Sequence, residues 1–504
     1  MRTDAVIKNI KWGITYQFIN MLFGFITPRI VIYIYGSEIN GLQNSILQII
    51  NIISLLQAGV TSTSVYALYK PLKENNYEDM GCILHSATIY LRKIAILFAI
   101  SMLASAIIFT YTLDTNLKKY EVFICFLVLS LKSITDMIIT SKYLIIFTAD
   151  QSKYIISICN IVEKLVYYGI LFYVSYNKYY FIFMYIGFLF GTMAKIILYY
   201  YLYKKSYKQK LKVDKTKFVY RKIPGRNYSM INEISHTVVT SSIMVIVSLL
   251  YDFKSASVYS IYFLIISFIT TIDVVIFDSF ASSFGNLVAS GNSKRIDLIF
   301  SIFQLGFNML NTFIYMCSSY LIVPFVQIYT TGITDINYQN YILAIMIILY
   351  GITSTYRIPY NICVSANGFF SQTSIQPAIC CIISIIISMF LGEIRMEFIM
   401  FGPIFFYLMN YFYQVYKLKR LLPNMNFDNP IKQYVISMSC IILSICIALK
   451  YPLINVGLIE WVISAIVTSI ICGLTVLLVF IFSNYNSFIA LKDYLISILK
   501  RRIQ

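Results

Sequence analysis

Long apolar stretches recur along the whole chain, and short polar segments separate them. A helix of about 20 residues covers the roughly 30 Å hydrocarbon core of a bilayer. Continuous runs such as Val476–Phe482 do not alternate as membrane β-strands would. The pattern therefore predicts an all-α polytopic membrane protein with about fourteen transmembrane helices. The predicted spans lie near 11–35, 41–69, 88–112, 120–147, 153–175, 179–203, 228–251, 256–287, 296–324, 338–365, 370–391, 396–418, 431–449 and 456–482.

Composition agrees with this class and excludes several kinds of site. Of the 504 residues, 59% are hydrophobic and 12% are charged, whereas soluble domains carry roughly 25% charged residues. The ten cysteines form no CxxC pair, and there are only two histidines, His85 and His236. We therefore expect no disulfide framework, no metal site and no cofactor.

The distribution of basic residues predicts the orientation. Lys204–Arg226 holds ten of the forty lysines and arginines and one acid, Asp214. Positive charge collects on the cytoplasmic side of membrane proteins, so both termini are predicted to face the cytoplasm, in the cytoplasmic membrane. A loop beside anionic lipid explains the net charge of +18 better than nucleic-acid binding does.

The same basic segment divides the chain. We predict an N-terminal six-helix lobe over 1–203, a basic cytoplasmic linker over 204–227, a C-terminal six-helix lobe over 228–420, and a further helix pair with a basic tail over 421–504. Tyr35 and Tyr251, 216 residues apart, each precede a long span. Six-helix repeats insert in the same direction, and two facing lobes form the cleft of a transporter.

Charged residues inside the spans mark candidate functional positions, because each costs about 2.5–3.5 kcal/mol at a helix centre. Two arginines stand out: Arg29 follows Pro28, Arg357 lies shortly before Pro359, and neither has an acid within one helical turn. Guanidinium groups form bidentate bonds with anions that carry several oxygens. We therefore predict that Arg29 and Arg357 bind a substrate such as a diphosphate.

Four other charges in the first lobe leave more than one interpretation open. Lys132 and Asp136 are four residues apart on one helical face, so they form either a structural ion pair or part of a substrate cavity. Lys164 and Lys195, like Glu163 beside Lys164, are expected to face an interior cavity or a partner. The alternative for the two lysines is a position close enough to the interface for their ammonium groups to extend toward it.

Acidic residues in the second lobe are candidates for coupling transport to an ion gradient. These are Glu233, Asp273 and Asp278. The alternative for Asp278 is a helix cap or a contact with Lys294–Arg295. The chain has no nucleotide-binding loop, HExxH or GxSxG sequence, so we expect no enzymatic activity and no hydrolysis of nucleotides.

Several motifs resemble the polysaccharide repeat-unit flippases (Wzx-type) of the multidrug/oligosaccharidyl-lipid/polysaccharide (MOP) exporter superfamily. The first-lobe motifs are Arg29, Gly36, Gly41–Leu42 and the exit sequence Leu68–Leu72. Val258–Ser267, Ser282–Asn292 and the segment from Arg357 resemble the second lobe. The likeness extends over nearly the whole chain.

The resemblance implies a two-lobed fold of fourteen helices that flips an undecaprenyl-diphosphate-linked oligosaccharide across the cytoplasmic membrane for surface polysaccharide synthesis. It implies membrane lipids, glycosyltransferases and a polysaccharide polymerase as partners. Arg29 and Arg357 match basic positions of the family. Gln57 stands where the family often has Glu, and Ile243–Met244 where it often has Asp-Asn, which puts ion coupling through those positions in doubt.

Two other functions compete with this one. A cation-coupled multidrug exporter of the same superfamily would use acidic cavity residues such as Asp273. A membrane-embedded polysaccharide polymerase needs a sizeable extracytoplasmic loop, but the longest here, around Pro324–Tyr338, has some fifteen residues.

Overall fold

The computed structural model describes residues 2–57, 59–112, 115–207, 226–289, 293–423, 425, 429–453 and 457–483. Within these ranges the chain forms α-helices and no strand, and fourteen helical spans are long and apolar enough to cross a membrane. The predicted fold class is confirmed. The helices are α1 (Arg2–Tyr35), α2 (Ser37–Ser54), α3 (Val60–Glu74), α4 (Tyr77–Thr112), α5 (Lys119–Thr135), α6 (Ser141–Ala149), α7 (Lys153–Tyr176), α8 (Ile182–Ser206), α9 (Arg226–Leu250), α10 (Phe253–Ala289), α11 (Ser293–Tyr329), α12 (Tyr341–Tyr356), α13 (Ile358–Asn367), α14 (Phe370–Thr373), α15 (Ile375–Gly392), α16 (Phe401–Leu421), α17 (Pro430–Lys450) and α18 (Leu458–Ser483).

Helices predominate because a lipid environment offers the backbone no other hydrogen-bonding partners. Two predicted spans are nevertheless broken. The span predicted at 41–69 contains the end of α2, a 3₁₀ turn at Leu55–Gln57 and then α3. The span predicted at 338–365 changes from α12 to α13 at Arg357. Pro359 lies at the start of α13, where its missing N–H removes no helical hydrogen bond.

A third span, predicted at 120–147, stays helical but contains a π-turn at Asp136–Thr140 between α5 and α6. The backbone carbonyl of Asp136 accepts hydrogen bonds from the hydroxyls of Thr140 and Ser141, at 2.7 and 3.0 Å. Hydroxyl side chains thus satisfy a carbonyl that the wider turn releases. Such π-turns often lie at functional sites, and this one carries a predicted site residue, Asp136.

The contacts divide the chain into two compact units. Unit 1 comprises Met1–Met230 with Val247–Ser257, and unit 2 comprises Ile231–Ile246 with Val258–Gln504. The separate helix pair predicted over 421–504 and the linker predicted over 204–227 stay predictions, since residues 208–225 and 484–504 lie outside the described part of the chain.

In unit 1, α1 packs along α7, and α7 packs along α8. The rings of Phe23 on α1 and Tyr168 on α7 stack with centroids 4.0 Å apart. In unit 2, α11 packs against both α17 and α18. A buried amide, Gln433 of α17, accepts hydrogen bonds from Gln304 and Asn308 of α11 at 3.1 and 2.7 Å. Polar contacts of this kind hold helices together in membranes, where apolar burial provides little driving force.

Candidate functional site

Four charged side chains on α5, α7, α8 and the π-turn form a closed ring of ion pairs inside unit 1. Lys132 contacts Asp136 and Glu163, each at 3.3 Å. Lys195 contacts the same two carboxylates, at 2.7 and 2.8 Å. We call these four residues the charge ring. Each lysine bridges both acids, which closes the ring. Two lysines and two acids give it two positive and two negative charges.

The approach of α8 to α7 builds the inner half of the ring. A Cβ atom on Gly191 would lie 2.6 Å from the backbone oxygen of Glu163, so only glycine permits this separation of the two helices. Lys195 lies one turn after Gly191 and therefore faces the same side of α8. Thr192 adds a hydrogen bond from its hydroxyl to the carboxylate of Glu163, at 3.3 Å.

A cavity of about 290 Å³ opens beside the ring. Asp136 and Lys195 contribute to its wall. Hydroxyl and amide groups complete a polar lining from α5, α6, α7, α8 and the π-turn, namely Ser133, Thr140, Ser141, Asn160 and Tyr199. The side chains of Lys132 and Asp136 are 27% and 28% exposed, against 10% and 7% for Glu163 and Lys195. The outer pair of the ring is thus the more accessible one.

A fifth charge, Lys164, gives this region an excess of positive charge. It follows Glu163 on α7, and its ammonium group lies 5.8 Å from the ring centroid of Tyr168. Lys164 makes no ion pair within the described part of the chain, and the nearest charges that act on it are those of Lys132, Glu163 and Lys195. With Lys164, the region holds three lysines against two acids.

The interface interpretation of Lys195 is corrected. Lys195 is not extended toward an interface: it is 5% exposed and ion-paired with Asp136 and Glu163. Lys132 and Asp136 form the ion pair that their spacing indicates, and Asp136 also lines the polar cavity. A substrate role for these two residues stays a prediction.

Arg29 lies on α1, the helix that packs along α7 in unit 1. It is half-buried, and its guanidinium carbon lies 5.8 Å from the ring centroid of Tyr33. The structure thus places Arg29 on a neighbour of the helix that carries Glu163 and Lys164. A substrate role for Arg29 stays a prediction.

Arg357 lies in unit 2, at the junction of α12 and α13. Its guanidinium carbon is 5.2 Å from the ring centroid of Tyr407 on α16, and its Nε atom is buried without a hydrogen-bonding partner. His236 of α9 stacks on the same Tyr407 ring, with centroids 5.4 Å apart. Apart from the rarity of histidine, no sequence pattern indicates His236, because its contact with Tyr407 joins helices that are distant in the chain.

Of the three coupling candidates, Asp273 occupies the most distinctive environment. It is 1% exposed, and it accepts one hydrogen bond, from the amide of Asn311 on α11 at 3.1 Å. Its second carboxylate oxygen is buried without a partner. Glu233 is exposed on α9, and the side chain of Asp278 lies outside the described residues. A coupling role for all three stays a prediction.

The described residues contain no group of three or more His, Cys, Asp and Glu side chains placed to hold a metal ion. The chemistry of unit 1 is therefore that of ammonium groups, carboxylates and hydroxyls around a polar space. Such a site attracts an oxyanion by charge and by hydrogen bonds from several lysines. It contains no activated nucleophile among its described side chains.

Comparison of sequences finds no relative of this chain, whereas comparison of structures finds several proteins with a similar fold. No protein-family model matches the chain. No curated protein sequence matches it either.

Several solved structures match over most of their length. An inward-facing multidrug resistance MATE family transporter of the MOP superfamily aligns with a TM-score of 0.65 and 9% identity, over 80% of this chain and 96% of that one. The lipid II flippase MurJ, in an inward closed conformation, aligns with a TM-score of 0.62 and 16% identity, over 94% of this chain and 99% of that one. A MOP superfamily transporter from Pyrococcus furiosus, with a binding pocket of reversed polarity, aligns with a TM-score of 0.51 and 9% identity, over 83% and 94%.

These neighbours are transporters and flippases rather than enzymes. At such low identity the likeness establishes the fold alone. The chain is a multi-pass membrane protein with the fold of the MOP superfamily transporters.

Proposed function

We propose that this protein is a flippase that moves an undecaprenyl-diphosphate-linked oligosaccharide across the cytoplasmic membrane by alternating access. The observation that carries the proposal is the excess of positive charge at and around the charge ring, where Lys132, Lys164 and Lys195 outnumber Asp136 and Glu163. Asp136 and Lys195 of the ring line the polar cavity of unit 1. Uncompensated positive charge in a membrane interior is costly, and an anionic substrate offsets that cost.

The chemistry of the substrate fits the kinds of group present. A diphosphate carries several oxygens that accept hydrogen bonds from ammonium and guanidinium groups, which Lys164 and Arg29 supply in unit 1. The glycan requires a polar, hydrated space such as the cavity beside Asp136. The transport direction toward the outer leaflet, the cytoplasmic termini, and the polymerase and glycosyltransferases as partners belong to the same proposal.

A cation-coupled multidrug exporter is the second candidate, favoured by Asp273. This buried carboxylate has one oxygen without a partner, and within the described part of unit 2 its other oxygen accepts from an amide, that of Asn311. A cationic drug or a coupling ion would find a negative charge there. The two candidates therefore predict substrates of opposite charge.

Transport in proteoliposomes distinguishes the two candidates. The probe is a fluorescent polyprenyl diphosphate glycan, and its movement to the outer leaflet is followed by quenching with an impermeant reductant. We expect wild-type protein to move the probe and Lys164→Met to reduce the rate at least tenfold. Lys153→Met is the matched control, because Lys153 is exposed on the same helix.

In cells, we expect Arg29→Ala to abolish surface polysaccharide while the protein still inserts into the membrane. Arg29→Lys should retain part of the activity, because lysine keeps the positive charge but lacks the planar guanidinium group that forms bidentate bonds. Export of cationic dyes without movement of the lipid probe would replace the flippase proposal with the multidrug exporter.

A further inference from the structure

The lysines of the charge ring are already bonded to carboxylates. Asp136 and Glu163 accept from both Lys132 and Lys195, so each ammonium group directs two of its three N–H donors at the ring itself. Lys164 makes no such pair within the described residues, and its charge interacts with those of Lys132 and Lys195. A ligand that binds the ring lysines fully must therefore compete with the two carboxylates.

The ring can be reached from the cavity. Asp136 and Lys195 line the cavity wall, and the outer pair, Lys132 and Asp136, keeps more than a quarter of its side-chain surface exposed. A ligand in the cavity can thus approach the ring from the side of Asp136. The hydroxyls of Ser133 and Thr140 on the same wall offer further hydrogen bonds.

A diphosphate competes well with the two carboxylates for these lysines. It carries more negative charge than a single carboxylate and has enough oxygens to accept from Lys132 and Lys195 together. When those ion pairs pass to the ligand, Asp136 and Glu163 lose the cations that neutralise them. Two adjacent carboxylates in a membrane cannot both stay ionised at low cost, so one takes up a proton.

We propose that binding of an anionic diphosphate headgroup displaces Asp136 and Glu163 from Lys132 and Lys195, and that the freed carboxylate pair takes up one proton. The inference rests on the proposed function and describes how binding of the substrate would change the protonation of the same site. The ion pairs between lysine and carboxylate break, ion pairs between lysine and phosphate oxygen form, and the acid form of the buffer gives a proton to a carboxylate oxygen and is left as its conjugate base.

The other titratable groups near the ring are two tyrosines, one cysteine and Lys164. They are Tyr16 from α1, Cys159 and Lys164 from α7, and Tyr199 from α8. The charges that act on Asp136 come from Lys132 and Lys195. Tyrosine and cysteine are already protonated near pH 7, and Lys164 enters the exchange as an ammonium group, so the carboxylates are the groups that gain the proton.

Calorimetry of the purified full-length protein in nanodiscs tests the exchange. The probe is geranyl diphosphate, titrated in two buffers with different enthalpies of ionisation, which gives the number of protons taken up per bound probe. The probe itself titrates, so the measured quantity is the difference between wild type and variant. We expect the double variant Asp136→Asn with Glu163→Gln to take up about one proton fewer per bound probe than wild type. When the pH falls by one unit, the affinity of wild type for the probe should rise up to about tenfold more than the affinity of the double variant does.

Glu74→Gln is the control, because Glu74 is exposed on α3 and lies outside the ring. It should take up as many protons as wild type. Infrared difference spectra of the wild-type protein provide a measurement that needs no variant: probe binding should produce the carbonyl stretch of a protonated carboxylic acid.

The outcomes separate the two proposals. Probe binding with the same proton count in wild type and in the ring variant, and no carboxylic acid band, overturns the exchange and leaves the flippase proposal intact. Absence of binding by wild-type protein overturns the flippase proposal, and the exchange with it.

Discussion

A Cβ atom on Gly41 would lie 1.7 Å from the carbonyl oxygen of Phe253. Both residues belong to unit 1, Gly41 on α2 and Phe253 in the segment Val247–Ser257. Two buried hydrogen bonds lie beside this contact: Asn40 donates to Ser257 at 2.7 Å, and the hydroxyls of Ser45 and Ser248 are 2.5 Å apart. The missing side chain at Gly41 lets the two backbones approach closely enough for these bonds to form.

We expect Gly41→Ala to weaken this packing. The new methyl group cannot fit without a backbone shift, and overpacking of this kind costs about 1–3 kcal/mol. The thermal unfolding temperature in detergent should fall. Gly13→Ala is the matched control, because a Cβ atom on Gly13 of α1 meets nothing within 4 Å. Equal stability of the two variants would show that α2 does not pack in this way.

The charge ring predicts a non-additive pair of substitutions. Lys195→Met leaves Glu163 and Asp136 with one lysine between them, and breaking a buried ion pair costs about 3–5 kcal/mol. The double variant Lys195→Met with Glu163→Gln removes one charge of each sign, so it should regain at least half of that loss. Chemical denaturation in detergent measures both, with Lys153→Met as the exposed control. Additive losses would contradict the ring.

The buried amides of unit 2 predict a role for Gln433. Gln433→Leu removes the oxygen that accepts hydrogen bonds from Gln304 and Asn308, and the side-chain amides of those two residues stay buried without this acceptor. Interhelical hydrogen bonds in membranes are worth about 0.6–1.7 kcal/mol, so we expect a loss of that size. The control is Ser439→Ala, since Ser439 is exposed and bonds within α17. A loss no greater than that of the control would exclude a stabilising contact between α11 and α17 here.

The packing of α18 against α11 brings two cysteines together. The side chains of Cys317 on α11 and Cys472 on α18 interact with each other. We expect a membrane-permeant oxidant to join them in a disulfide, detected as a linked peptide by mass spectrometry. Cys446 on α17 is exposed and should stay unlinked to either. Failure of this pair to link under conditions that oxidise other thiols would argue against the contact.

The sequence by itself determined the class of the protein. Runs of apolar residues long enough to cross a bilayer leave the backbone no partners but its own, so helices and their approximate positions follow from composition and length. The same reasoning identified Lys132, Asp136, Lys195 and Asp273, because a charge inside an apolar run is conspicuous. Lys132 and Asp136 could be paired from sequence because one helix carries both at a spacing of four.

Only the tertiary structure decided which charges meet. Lys195 meets Glu163 because Gly191 lets α8 approach α7, and His236 meets Tyr407 because α9 contacts α16. The π-turn at Asp136–Thr140 likewise includes side-chain contacts, since the hydroxyls of Thr140 and Ser141 donate to the carbonyl of Asp136. Apolar periodicity shows which residues are helical and carries little information on which helix packs against which, since membrane helices associate through close-fitting small residues and a few polar contacts.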